Sequence, residues 1–298
     1  NGLEDLEEDL IEAKEVKSML LAFKDTSLTQ QQKITKKIAV FDLDNTIEET
    51  EKFPYHSYPL NQIGGIHLNL VEFMTDIHPI RNVKEAEAYI DRLNLFDDSF
   101  KGTLEILDAQ REAGIYPPKF VFDHVIRQLT EFLNYEKEEN PLREVFVRKI
   151  KELELDAETS QDLVSKLDLA LEESVKPGFG LLLGFMYETL PQANIHHGVW
   201  SLPNGDDFYA LRLKVYTTTN YSAEEIHNIG LSEVQRITNR MQEIFGQLGY
   251  GDNLNVGQMM NELNADPKFL YADTPDRKQV VVKDYADIVE ETWGAAEN

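Results

Sequence analysis

"KKIAVFDLDNTIEET", residues 36–50, is the stretch that decides between two fold classes. A mostly apolar run, residues 37–41, leads directly into Asp42, Asp44 and Thr46. Locally these residues favour a β-strand, and two aspartates at its end could serve as nucleophile and acid/base in phosphoryl transfer. The alternative is a packed helix that buries its apolar residues and keeps both aspartates at its polar edge. The pattern would then be a chance match within a helical protein.

The rest of the chain does not supply the other residues that such a phosphatase needs. Haloacid-dehalogenase-like phosphatases, which this stretch resembles, also need a threonine or serine after a second strand, then a lysine and carboxylates that hold Mg²⁺. "LKVYTTTN" (213–220) imitates the second strand, but no lysine lies between Thr217 and residues 251–253. Alternating strand–helix units are missing as well. A magnesium-dependent phosphatase that uses Asp42 and Asp44 is therefore only an alternative, and we prefer the helix.

The composition is that of an acidic globular protein. Of 298 residues, 54 are acidic and 29 basic, which gives a net charge of −25. This charge repels phosphate backbones and anionic lipid headgroups, so nucleic acid and membrane surfaces are disfavoured as partners. No run of about 18 apolar residues predicts a membrane-spanning helix. The absence of cysteine excludes disulfides and thiolate sites. Because the chain starts at Asn1 without an initiator methionine, we expect a processed product.

Helical periodicity dominates the chain. The clearest amphipathic segments are residues 83–93, 122–132, 163–175 and 232–248. Strand candidates are few, namely 37–41 and 211–217. We therefore predict a mainly α fold with little or no β-sheet, built as a multi-helix domain that forms one side of a cleft. One domain is expected over residues 1–298, with an internal loop at 134–143.

Capping residues predict where several of these helices begin and end. Asn82 and Ser222 are N-cap candidates, each followed three residues later by a glutamate. We expect the helix after Ser222 to end at Gly230 and a new one to begin at Ser232. Pro177-Gly178 should stop the helix over 163–175. Gly249 should terminate the last of the four segments in a left-handed conformation.

The histidines do not form a recognisable metal motif. His196-His197 and the pair Glu224 and His227 are the only clusters, and neither belongs to a zinc motif with the usual spacing. Ordinary helix-surface residues explain the second pair. We therefore predict neither a metal ligand nor a catalytic residue among these positions.

Three polar segments are candidates for a substrate pocket: "YHSYPLNQ" (55–62), the region 196–213 and the threonines 217–219. Tyrosine hydroxyls, amides and hydroxyls of this kind orient ligands in pockets. They equally well form turns whose side chains satisfy loop backbone, and the residues do not decide between these possibilities. The candidate substrate-binding residues are His56, Tyr58, Asn61, Gln62, His197, Tyr209, Thr217, Thr218 and Thr219.

Three long stretches carry a resemblance to a known family. They are "KFPYHSYPLNQIGGIHLNLVEFM" (52–74), "VKPGFGLLLGFMYETLPQA" (175–193), and the run from His196 to Met241 that begins "HHGVWSLPNGDDFYALRL". In this order they resemble bacterial domain-of-unknown-function family 885, over essentially the whole chain. The resemblance implies an α-rich body with a deep cleft, similar to mostly helical zinc peptidases of the gluzincin type. It also implies that "FDLDNT" lies in a buried helix.

The resemblance further implies that the zinc ligands lie downstream of residue 298. The chain is then expected to be the N-terminal, cleft-forming portion of a zinc-metallopeptidase-like hydrolase, without zinc and inactive by itself. A peptide or small molecule is the implied substrate. Many relatives are exported or lipid-anchored, which favours export over a cytoplasmic location, and the oligomeric state stays open. A non-catalytic helical binding module is the second alternative, and scattered polar loops would favour it.

Overall fold

A computed structural model describes residues 2–193, 195–250 and 254–296 of the chain. Helices make up 78% of the structure, and none of the described residues belongs to a β-strand. The prediction of a mainly α, multi-helix fold is confirmed. Both strand candidates, 37–41 and 211–217, were wrong, because each lies inside a helix.

The chain begins with a helical hairpin made of α1 (Leu3–Ala22) and α2 (Gln30–Lys52). A capping box starts α2, in which Thr29 Oγ1 accepts from the Gln32 amide at 3.2 Å and Gln32 Oε1 accepts from the Thr29 amide at 2.9 Å. This cap satisfies two amides that the helix itself leaves without partners. It therefore favours helix over the strand that residues 37–41 prefer locally.

The "FDLDNT" stretch lies in the middle of α2. Asn45 is the only residue of α2 that is buried, at 4% exposed. Phe41 is partly buried, whereas Ile38 is 57% exposed. Asp44 forms an ion pair with Lys17 of α1. The expectation of a helix was thus correct, but the expectation that its apolar residues are buried was not, because the two-helix hairpin covers only part of this face.

Seven further helices build the main core. They are α3 (Ile66–Glu72), α4 (Val83–Leu93), α5 (Phe96–Glu112), α6 (Lys119–Leu133), α7 (Pro141–Glu152), α8 (Ala157–Ala170) and α9 (Lys176–Thr189). Large aromatic side chains fill the space between them, with Phe100 and Phe122 at most 1% exposed. Phe179 of α9 stacks on Phe132 of α6 with ring centroids 3.8 Å apart. Each such side chain contributes roughly 1.5–3 kcal/mol through burial.

The turn between α8 and α9 differs from the predicted helix stop. Residues Leu171–Val175 form one π-helical turn, and α9 then continues through Pro177 and Gly178. The predicted stop was wrong because Pro177 falls in the first turn of α9, where a missing amide hydrogen costs little. Gly178 serves packing instead. A Cβ there would lie 2.6 Å from Cδ2 of Phe100, so only glycine lets α9 approach α5 this closely.

The π-helical turn also caps a neighbouring helix. Helix α5 starts after Leu95, which provides no side-chain cap. The Asp97 amide donates instead to Oγ of Ser174, at 3.1 Å, and Ser174 is buried in the wide turn. A hydroxyl 77 residues further along the chain thus satisfies a backbone amide that α5 leaves open.

Beyond α9 the chain reaches α10 (Gly205–Thr217), which packs against α2. Arg212 pairs with Glu49 at 2.8 Å, and Lys214 pairs with Glu48 at 3.1 Å.

The predicted loop 134–143 joins α6 to α7, and its last three residues are the first three of α7.

The chain divides into two compact units, residues 1–220 and residues 221–298. The prediction of one domain stays a prediction. The second unit contains α11 (Ala223–Gln247), α12 (Val256–Ala265) and α13 (Arg277–Ala296). Among its described residues only Phe245 and Met259 are buried apolar side chains. No helix in the described part of the chain is both long and apolar enough to cross a membrane.

Helix α11 corrects two predicted boundaries. Ser222 caps it with Glu225 as predicted, but the helix runs on through Gly230 and Ser232. The Ser232 hydroxyl donates to the Ile229 carbonyl at 2.8 Å, so it bonds within the helix and does not start one. Gly249 adopts φ 84°, as predicted for the left-handed residue after the helix.

Candidate functional site

The loop between α2 and α3, residues 53–65, is built by Asn61. Its Oδ1 accepts from the amides of Ile63 and Gly64 at 3.0 and 2.8 Å, and its Nδ2 donates to the Tyr58 carbonyl at 2.9 Å. A Cβ on Gly65 would lie 2.4 Å from the Asn61 carbonyl oxygen, so glycine is required at this close approach. Asn61 therefore shapes the turn that leads into α3, and its side-chain amide is engaged by the loop.

His56 attaches this loop to the start of α10. Its Nε2 lies 2.7 Å from the Pro203 carbonyl oxygen, and since a carbonyl only accepts, Nε2 carries the proton. The ring packs between Phe53 and Phe208, with centroid distances of 5.2 and 4.8 Å. His56 is 7% exposed and acts as an anchor between two segments.

Tyr58 points towards the core. Its hydroxyl donates to the Tyr116 carbonyl at 3.4 Å, and burial raises the pKa of Tyr58 to about 12, so the phenol stays neutral at physiological pH. Gln110 of α5, which the sequence did not single out, holds the same loop. Its Nε2 donates to the carbonyls of Tyr55 and Ser57 at 2.8 and 2.6 Å.

A second set of hydrogen bonds links the loop to α6 at Gln62. Gln128 Nε2 donates to the Gln62 carbonyl at 3.1 Å, and Gln128 Oε1 lies 3.0 Å from Nε2 of His67. This orientation of the amide places the imidazole proton on Nε2. His67 is 2% exposed, and its Nδ1 has no hydrogen-bond partner among the described residues. Burial lowers the pKa of His67, although the bond to Gln128 acts in the opposite direction.

Two grooves run along the sides of α3. We name the first the α3–α6 groove. It has a volume of about 460 Å³ and is lined by Ile63, His67, Leu68, Val71, Glu72, Thr75, Asp76, Gln128, Glu131, Phe132, Tyr135, Pro141 and Phe179. Its lining combines apolar and aromatic side chains with three carboxylates and a few neutral polar groups, and it contains no lysine or arginine. A second groove of about 690 Å³ lies on the α5 side of α3 and includes Phe73 and Ile106.

The structure brings some of the predicted site residues together and separates the others. His56, Tyr58, Asn61 and Gln62 share the loop that leads to the α3–α6 groove, but none of the four lines it. His197 is exposed and packs its ring against Phe120 at the start of α6, at 5.1 Å.

The remaining predicted residues lie on α10 or directly after its last residue, Thr217. Tyr209 is 46% exposed near its start. The threonines lie at its other end, roughly 18 Å from Gly205 at 1.5 Å per residue. Thr217 Oγ1 donates to the Leu213 carbonyl at 2.8 Å, and Thr218 adopts φ 53°. These threonines therefore terminate α10 and are remote from the loop that contains His56.

Sequence reasoning missed His67, Gln110 and Gln128. The only signal for His67 is its position two residues after Gly64-Gly65 in a segment already quoted for its polar residues. Gln110 and Gln128 lie 53 to 66 residues from their loop partners, so no local pattern marks them.

Within the described ranges, no three His, Asp or Glu side chains come close enough to hold a metal ion. The described residues therefore bring together no set of ligands for a catalytic zinc ion.

Comparison with known proteins places the chain in a family. The model of the family described as "Bacterial protein of unknown function (DUF885)" matches residues 3–297. A crystal structure of a Colwellia psychrerythraea protein described as a "putative lipoprotein" superposes with a TM-score of 0.86 at 25% identity. The match covers 99% of this chain and 52% of that one, so this chain spans about half its length. No curated protein matches significantly. The match over residues 3–297 shows that the chain belongs to the bacterial family DUF885.

Proposed function

We propose that this chain forms the substrate-binding wall of a larger zinc-peptidase-like hydrolase, and that the α3–α6 groove binds a peptide. The observation that carries this proposal is the buried His67, whose Nδ1 has no partner among the described residues, in the lining of a groove of about 460 Å³. A buried acceptor without a partner costs roughly 1–3 kcal/mol, which a hydrogen-bond donor brought by a ligand would recover.

The lining of the groove favours a ligand that is both apolar and cationic. Phe132, Phe179 and Tyr135 offer aromatic surface, and Glu72, Asp76 and Glu131 offer negative charge. Of these three carboxylates, only Glu131 has an ion-pair partner in the described part of the chain, Arg127 at 3.5 Å. Apolar groups flanked by carboxylates suit a peptide with a hydrophobic side chain next to a lysine, an arginine or a free amino terminus.

In this proposal the chain binds substrate and does not cleave it alone. The metal chemistry of a zinc peptidase, in which the metal activates a water molecule, needs about three protein ligands, and the described residues bring no such set together. The greater length of the Colwellia psychrerythraea protein supports the idea that other residues complete the reaction centre.

The proposed location is outside the cytoplasm, by export or lipid anchoring. The description of the Colwellia psychrerythraea protein as a "putative lipoprotein" supports this location.

Peptide binding can be measured by fluorescence anisotropy with labelled peptides that carry Phe-Lys or Phe-Glu. We expect the Phe-Lys peptide to bind more tightly, and Asp76→Asn with Glu131→Gln to weaken it about threefold to tenfold, since each exposed charge contributes up to about 1 kcal/mol. The matched control is Glu87→Gln with Asp91→Asn, which removes two exposed charges from α4. Equal loss in both double variants would show that net charge alone attracts the peptide.

Hydrolysis distinguishes the proposal from a purely binding module. We expect the complete Colwellia psychrerythraea protein to cleave the Phe-Lys peptide and to contain zinc by elemental analysis, while this chain binds the peptide without cleaving it. Absence of cleavage and zinc in the longer protein, with peptide binding retained, would favour the non-catalytic helical module.

A further inference from the structure

The tip of the α1–α2 hairpin has a charge opposite to that of the chain. We define the hairpin tip as residues 19–38, which contain the last turn of α1, the connection and the start of α2. It contains Lys24, Lys33, Lys36 and Lys37 against one acidic residue, Asp25. Its formal charge is therefore +3, and the rest of the chain carries −28, because the total is −25.

The same tip exposes large apolar side chains. Met19, Leu21, Phe23 and Ile38 are each more than half exposed, and Phe23 is 57% exposed. Ile34 and Ile38 are four residues apart on α2 and so share one helix face, while Lys33 and Lys37 form the adjacent row. The long apolar stems of such lysines can lie along the neighbouring apolar side chains, while their ammonium groups stay in water.

The tip is held in a defined conformation. Lys36 Nζ donates to the Phe23 carbonyl at 2.7 Å and to Asp25 Oδ1 at 2.9 Å. This contact ties the connection to α2 and neutralises the only acidic residue of the tip. Beside it lies a mainly apolar groove of about 300 Å³, lined in part by Leu20, Phe23 and Leu28. The exposed apolar residues are therefore displayed on an ordered surface.

We propose that the hairpin tip binds the surface of an anionic phospholipid membrane. Basic residues beside exposed Phe, Leu, Ile and Met residues are typical of helices that lie in the lipid headgroup region. The negative charge of the rest of the chain does not prevent this contact. Asp42, the first acidic residue of α2, lies roughly 13 Å along the helix from Lys33 and about 8 Å from Lys37. At physiological salt, where the screening length is about 8 Å, its charge is therefore largely screened from Lys33 and partly screened from Lys37.

Charge disfavours a symmetric dimer in which the hairpin tips of two copies of the chain face each other. Another copy carries −25 overall and the same positive tip, so a symmetric tip-to-tip contact would bring lysines together. Each lysine near an anionic lipid surface instead contributes about 1 kcal/mol. The inference is independent of the proposed peptide groove, because the two surfaces share no residue.

Vesicle flotation tests the proposal with the complete 298-residue chain. Vesicles of phosphatidylcholine alone are compared with vesicles that contain about one third phosphatidylglycerol, at about 0.05 M and about 0.5 M salt. We expect binding only to the anionic vesicles, and loss of most of it at the higher salt. The variant Lys24→Gln/Lys33→Gln/Lys37→Gln leaves Lys36 in place and should weaken binding roughly a hundredfold.

Two further variants make the result decisive. Lys84→Gln/Lys119→Gln/Lys151→Gln removes the same charge from positions elsewhere on the chain and should bind like the unaltered chain. Met19→Ser/Ile38→Ser changes exposed residues only and should also weaken binding, with the circular dichroism spectrum unchanged. Equal effects of the two lysine triples would overturn the proposal. So would a concentration-dependent dimer in sedimentation that Met19→Ser/Ile38→Ser dissociates, with no vesicle binding.

Discussion

The two compact units use amphipathic helices in different ways. Residues 1–220 enclose Tyr89, Phe100, Phe122, Phe146 and Phe179 almost completely, each at most 1% exposed. Residues 221–298 bury only Phe245 and Met259 among those described, and α13 buries none. Both units nevertheless show the helical apolar period in their sequences. The helical spacing of apolar residues therefore predicts that a helix forms. It does not predict whether other residues of the chain bury the apolar face of that helix.

The difference also shows what stabilises each unit. In the first, rings from α5, α6 and α9 contact one another directly, as Phe100 and Phe179 do at 5.2 Å. In the second, stability depends more on local features such as the Ser222–Glu225 capping box and the turn at Gly249. Local features of this kind contribute about 1 kcal/mol each, whereas a buried aromatic side chain contributes several times more when its removal leaves a cavity.

The largest expected effect comes from opening the core of the first unit. Phe100→Ala should lower the free energy of unfolding of residues 1–220 by about 3–5 kcal/mol, because it removes burial and leaves a cavity. Phe245→Ala, the matched change in the second unit, should leave that transition unchanged. Urea unfolding followed by hydrogen exchange of each unit measures both. If Phe245→Ala destabilises residues 1–220 as well, the two units unfold together and the comparison fails.

Two glycines give a smaller and opposite pair of effects. Gly178→Ala should destabilise the first unit by about 1–3 kcal/mol, since its new Cβ would meet Phe100. Gly230→Ala should stabilise α11 by roughly 0.5–1 kcal/mol, because the position is helical and open to solvent. Thermal unfolding monitored by circular dichroism measures both changes. Destabilisation by Gly230→Ala would mean that another part of the molecule packs against this glycine.

The smallest expected effect is a pH dependence of the first unit. Burial lowers the pKa of His67, so below about pH 6.5, the usual histidine pKa, the unfolded chain binds a proton that the folded chain excludes. Stability from this group is complete above pH 6.5 and falls as the pH drops towards the lowered pKa. The free energy of unfolding is measured by urea titration at several values between about pH 5 and 8. His67→Asn should reduce the slope of this free energy against pH by the equivalent of at most one proton. His78, whose pKa burial also lowers, remains as an internal reference. An unchanged slope would show that His67 binds protons equally in the folded and unfolded chains, so that folding does not lower its pKa.

The sequence predicts helix faces better than helix ends. Ala86, Ile90 and Leu93 are buried as their spacing indicates. Asn82 caps α4 by accepting from the Glu85 amide at 3.0 Å. The predicted break at Pro177 failed because this proline falls in the first turn of α9, directly after the π-helical turn, where its missing amide hydrogen costs little. The predicted break at Gly230 failed because the long helix α11 outweighs the local cost of one glycine.

The site was less predictable than the fold. Asn61 and Gln62 could be identified because a polar turn beside Gly64-Gly65 is visible locally. Whether their side chains face a ligand or the loop depends on partners far along the chain. Gln110 and Gln128, which fix the loop, come from α5 and α6. The groove itself depends on α3 packing between helices, which no local pattern describes.

Helices α8 and α9 are joined directly by the π-helical turn Leu171–Val175. This turn determines which face of α9 points towards α5. Deleting one residue from this turn would rotate α9 relative to α8 by about 100° and move Ser174 or Gly178 out of register with α5. Relatives that keep the α5–α9 contact should therefore keep the length of this turn even where its residues differ. The wider turn contains one residue more than an α-helical turn would need. This residue allows the turn and α9 to contact α5 at once, namely Ser174 with the Asp97 amide and Gly178 with Phe100.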